Sequence, residues 1–132
     1  MKKAVPAVSL DWNEGRFFDL WMLVHMLSGV AGGFVNVFFG LTPWQVVALG
    51  SVMMIAWEFG ESAIGVKETL ANRVIDVVVG LVGVGIALVI AARISEAAER
   101  VAFVASIGIA LIGLALGARN FRRRKKAAKG TK

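Results

Sequence analysis

The sequence predicts an all-α integral membrane protein, a bundle of four transmembrane helices with both termini in the cytoplasm. Composition is the first reason. Of its 132 residues, 58% are hydrophobic and 18% charged, and mean hydropathy is +0.73; a soluble domain is about 45–50% apolar and about 25% charged. The second reason is distribution. The apolar residues fall into four runs with few charges, each near the roughly 17–25 residues that cross a bilayer. The third is the placement of Lys and Arg, which orients those runs.

The spans are read in order as about 17–40, 43–61, 73–92 and 100–118. Residues 1–16 form an N-terminal tail and 119–132 a basic C-terminal tail. Met1-Lys2-Lys3 and the following apolar residues faintly resemble a signal peptide. The stretch is short, holds Pro6 and runs into Asp11, so it reads as a tail before an uncleaved anchor. Span one carries Asp19 and His25 in its first half. Gly40-Leu41-Thr42-Pro43 is a tight turn, and Pro43 suits the first position of a helix because its missing N–H is not needed there. Span two carries Glu58 near its end, with Glu61 beyond, and Gly60 to Asn72 forms the longest loop. Span three opens with Arg73 and Asp76, and span four has no charge from Val101 to Gly117.

Four spans return the chain to its starting side. That side holds 13 of the 15 Lys and Arg residues, and only Arg93 and Arg100 face the other. Cytoplasmic loops carry the excess of Lys and Arg, so both ends are expected in the cytoplasm, with the protein in the cell membrane. The run Arg122-Arg123-Arg124-Lys125-Lys126 is expected to touch anionic lipid headgroups. No aromatic platform accompanies it, so nucleic-acid binding is not expected.

Cysteine is absent, which excludes disulfides, thiolate metal sites and cysteine nucleophiles. His25 is the single histidine. Helices in lipid associate through close packing at small residues. The predicted contact faces are Gly29, Gly32 and Gly33 in span one, Gly80 and Gly83 in span three, and Gly113 and Gly117 in span four. Span two offers the bulkier set Ala48, Ser51 and Ala56. Gly80 to Gly85 is not a nucleotide loop, because it lies inside an apolar span. The four tryptophans, Trp12, Trp21, Trp44 and Trp57, are read as interface anchors.

Ionisable residues inside a membrane are costly. With the predicted topology, Asp19, His25, Glu58, Glu61, Arg73 and Asp76 lie at a similar depth on three different helices. Four acids outnumber one Arg and one His, and carboxylates gathered in a low dielectric need compensation. Water, bound protons or a divalent cation would supply it, with His25, Glu58, Glu61 and Asp76 as acceptable metal ligands. An ion-pair network with Arg73 on Glu58 or Asp76 accounts for the same residues.

At these positions the chain resembles the VanZ-like and YjdF-like small membrane proteins. The residues are Trp57-Glu58-Phe59-Gly60-Glu61, then Asn72-Arg73-Val74-Ile75-Asp76, then Gly80 and Gly83, with His25 upstream. The resemblance covers about 17–92. It implies a multispan helical protein with a link to cell-envelope or lipid-linked chemistry, and it points at His25, Glu58, Glu61, Arg73 and Asp76. Gly80 stands where that family has Asn, so the role of that amide is lost or passes to Asn36.

Three functions compete at this point. The first is binding or transport of a cation or a charged lipid headgroup, in a homo-oligomer or a larger membrane complex. The second is a membrane enzyme on a lipid-linked or phosphorylated substrate, with Glu58 or Glu61 as base and Arg73 holding a phosphate. The third is an accessory subunit whose charges only pair.

Overall fold

In a computed structural model, residues 7–9, 12, 17–66 and 68–130 are described. The helices are α1 (Trp21–Phe34), α2 (Asn36–Phe39), α3 (Pro43–Ala63), α4 (Leu70–Ala91) and α5 (Glu96–Gly130). No strand occurs among the described residues; Val8 and Phe18 form an isolated bridge. Among the described residues, four stretches are long and apolar enough to cross a membrane: Trp21–Phe39, Pro43–Ala63, Leu70–Ala91 and Glu96–Arg123.

Local chemistry sets the boundaries, and several differ from the sequence reading. The first span starts at Trp21 rather than 17, because the Asp19 carboxylate accepts the Trp21 N–H at 2.9 Å while residues 17 and 18 bond back to Ala7 and Ser9. Its end is interrupted at Val35, whose N–H turns back to Gly32 O at 3.3 Å in a tighter i→i−3 bond. Gly40 then stops α2 in the left-handed region at φ 59°, which favours glycine. Thr42 and Gln45 close a capping box ahead of Pro43.

Helix α3 runs to Ala63, so the loop is shorter than expected, and α4 begins at Leu70 because Thr69 accepts the Asn72 N–H at 3.1 Å. Ser95 accepts the Ala98 N–H and starts α5 at Glu96. The basic segment expected as a tail after 118 continues that helix to Gly130. Arg, Lys and Ala all favour helix, and nothing between 118 and 130 breaks it. Arg122, Arg123 and Lys126 are exposed on it.

Helix α1 is the hub. It packs most extensively on α4, then on α5 and α3, while α3 also packs on α4. Glycine makes the α1–α4 approach possible. A Cβ on Gly29 would strike the backbone of Gly80, one on Gly33 the Val84 backbone and Ala87, and one on Gly83 the Met26 carbonyl. Gly113 and Gly117 face Val24 and Trp21 across the α1–α5 contact. Gly32 is a correction: nothing lies near it, since it points away from both partners. Span two also differs. Its buried face is Val46, Gly50, Met54 and Glu58, one residue per turn, while Ala48 and Ala56 are exposed.

The polarity of the bundle is inverted relative to a soluble one. Trp44, Phe39, Phe59 and Leu70 are among many large apolar residues on the outside. Asp19, His25, Glu58, Asn72 and Asp76 are buried inside. Lipid solvates such an exterior, and the interior must satisfy its own polar groups.

Candidate functional site

Helix α1 brings in His25, α3 brings Glu58 and Glu61, and α4 brings Asn72, Arg73 and Asp76, with Asp19 ahead of α1. Each position follows from helical spacing. Glu58 is the last member of the buried one-per-turn series of α3, and Glu61 follows three residues on. Asn72, Asp76 and Gly80 form the matching series on α4, so the residues that approach α1 most closely are continuous with the polar ones.

Two subclusters result. In the first, Asn72 Nδ2 donates to Asp76 Oδ2 at 2.9 Å and to Asp19 Oδ2 at 3.4 Å. Asn72 and Asp76 are each only 1% exposed. The amide beside Asp76 is therefore Asn72, four residues earlier on the same helix.

In the second, ligand atoms of His25, Glu58 and Glu61 all lie within 4.8 Å of one another. His25 Nε2 stands 3.8 Å from Glu58 Oε1, too far for a hydrogen bond. His25 is 2% and Glu58 7% exposed. His25 Nε2, both Glu58 oxygens and Glu61 Oε2 are buried without a hydrogen-bond partner. Asp76 is a correction to the four-residue ligand set: its Oδ2 is held by Asn72, and it falls outside the group that converges on one point.

Arg73 does not pair with Glu58 or Asp76 as expected. Its Nε lies 4.0 Å from Oε2 of Glu68, whose side chain is almost fully buried. Together with Asp19, Glu58, Glu61 and Asp76 this makes five carboxylates, which act electrostatically on one another, against one guanidinium. Glu58 and Arg73 also border an apolar groove of about 380 Å³ between α3 and α4, with Leu70, Val74 and Val78 in its wall.

Trp57 packs against the site. Its ring meets His25 edge-on, with centroids 5.8 Å apart at 75°. Trp12 packs edge-on against Trp21 at 5.3 Å. Trp44, at the start of α3, is 82% exposed. Asn72 and Glu68 were missed because a single Asn at a predicted helix start and a single Glu in a loop carry no burial signal.

Compared with protein-family models, curated proteins and solved structures, the chain has no significant match.

Proposed function

We propose that this is a multi-pass membrane protein that binds a divalent cation at His25, Glu58 and Glu61. One observation carries the reading: an imidazole and two carboxylates converge within 4.8 Å in the core, with His25 Nε2 and both Glu58 oxygens unpartnered. Leaving such atoms bare in a low-dielectric interior costs several kcal/mol by the usual transfer estimates. A cation removes that cost and offsets the local excess of carboxylate. Ligand atoms on a tetrahedral zinc-sized ion stand about 3.4 Å apart, so the side chains need to close by up to about 1.4 Å. One nitrogen and two oxygens suit borderline ions such as Mn²⁺, Co²⁺ or Zn²⁺ better than thiophilic ones. Asp19, Asn72 and Asp76 support the centre as a hydrogen-bonded layer behind it.

The resemblance to VanZ-like proteins supports the same residues, and the charge bias of the loops supports a cell-membrane location with both ends cytoplasmic. Handling of the ion, by transport or in envelope maintenance, completes the proposal, with a homo-oligomer or a larger complex supplying any pathway that four helices are too few to enclose.

Thermal unfolding of the purified protein in detergent tests this across Mg²⁺, Ca²⁺, Mn²⁺ and Zn²⁺. Stabilisation by a subset of these ions in the wild type, absent in Glu58→Gln, is the expected result. Equal response of wild type and Glu58→Gln to every ion would overturn it.

A further inference from the structure

Helices α3 and α5 both lean on α1 without packing extensively on each other. The crevice between them widens at the end near the polar cluster into a cavity of about 440 Å³. That is within the usual range of sites for small organic ligands, about 300–1,000 Å³. Trp21, Trp57, Phe121, Ile64, Leu114 and Glu61 line it. Glu61 is the one charged residue in that lining among the described residues, and the Trp57 side chain interacts with its carboxylate. A second cavity of about 210 Å³ shares Trp57 and Leu114 with the first. It continues the crevice between α1 and α5 past Ser28, Ala31, Ile107 and Leu111.

The rings are held in place from behind. Trp57 is braced edge-on by His25, and Trp21 is wedged between Trp12 and Gly117. Aromatic side chains beside one carboxylate, with an apolar channel continuing from them, match a particular ligand chemistry. Ring faces attract a poorly hydrated cation, and the attraction grows when water is excluded. A carboxylate selects positive over negative charge. The apolar channel selects a ligand with a hydrocarbon tail.

We infer that the α3–α5 crevice binds an amphiphilic organic ammonium ion. Its cationic head sits among Trp21, Trp57 and Phe121 beside Glu61, and its tail follows Leu114 toward Ile107 and Leu111. An anionic amphiphile is excluded by Glu61, and a neutral one gains nothing from it. This site does not rest on the divalent-cation reading. It shares Glu61 with it, so a metal ion held by His25, Glu58 and Glu61 and an ammonium beside Glu61 compete.

The test uses decyltrimethylammonium, dialysed against the full-length protein in maltoside micelles with empty micelles as reference. Saturable binding is expected, with decyl sulfate binding about tenfold more weakly or worse. Glu61→Gln and Trp57→Leu are each expected to weaken binding by about tenfold, while Trp57→Phe retains most of it. Glu58→Gln, which removes a metal ligand outside the crevice lining, is expected to leave it intact, so failure of the metal reading and failure of this one are separable. Equal binding of the sulfate, or full binding by Glu61→Gln, would overturn the inference.

A wild-type measurement guards against variants that fail to fold. A photoreactive group at the tail end of the ammonium is expected to label Ile107 or Leu111. Labelling confined to the outer α4 surface at Val74 and Val78 would overturn it. Displacement by short-chain phosphocholine lipid would identify a lipid headgroup as the source of the ammonium. Its failure to displace bound probe would identify a free amphiphile instead, and both outcomes support the ammonium site.

Discussion

His25 Nε2 and Glu58 Oε1 face each other across α1 and α3 at 3.8 Å, both buried, and neither atom has a hydrogen-bond partner. The gap is too long for a hydrogen bond and close to the spacing of two ligands on one ion. Glu61 brings a third ligand atom to the same point. Asp76 Oδ1 and Asn72 Oδ1 are also buried without a partner, so what sets the His25–Glu58–Glu61 centre apart is the convergence of three ligand atoms from two helices on one point.

Asn72 is expected to be a structural keystone. It donates to Asp76 and Asp19 at once, and hydrogen bonds to charged groups contribute about 1.5–3 kcal/mol each. Asn72→Leu should lower stability by about 2–3 kcal/mol in a detergent unfolding titration. It should leave the side chains of the metal centre in place, so any divalent-cation response persists in the fraction that folds.

The glycines of α1 are expected to separate into two classes. Gly29→Val puts a side chain into the Gly80 backbone and should cost about 1–3 kcal/mol or more. Gly32→Ala meets nothing and sits inside a helix, so it should stabilise by about 0.4–1 kcal/mol through the unfolded chain. Comparing both by reversible unfolding in one detergent checks the register of the α1–α4 contact.

Gly40 turns the chain between α2 and α3 at φ 59°. Gly40→Ala should cost about 1–2 kcal/mol, the penalty of a Cβ in the left-handed region. No neighbour lies near that site, so the loss should appear without any change in cation response.

The charge bias predicts topology. A fluorescent reporter that matures only in the cytoplasm should glow when fused at either terminus. Inserted at 93–95, between α4 and α5, it should stay dark.

Much of the architecture was legible in the sequence because lipid imposes a blunt rule: about twenty apolar residues in a row make a helix. Pro43 and Gly40 marked the hairpin for reasons that hold in any protein. The convergence of His25, Glu58 and Glu61 followed from depth alone, whereas Asp76 at the same depth is turned to Asn72. Partner choice did not follow. Arg73 was expected on Glu58 or Asp76, yet a residue at the start of α4 is nearer to the loop that precedes it, and Glu68 folds in to meet it. Gly32 sits among small residues but faces outward, because three adjacent helices cannot all use one stripe. Trp57 reads as an anchor by position, and only the packing of α3 on α1 turns its ring onto His25.

The central claim is tested most directly by titrating Co²⁺ into the purified protein and following its visible absorption. The expected result is saturation at one ion per chain with a band of the strength given by a nitrogen–oxygen site of low symmetry, competed by Zn²⁺ and absent in both His25→Ala and Glu58→Gln. A wild-type spectrum no different from that of Co²⁺ in buffer, or one retained in both variants, would contradict it.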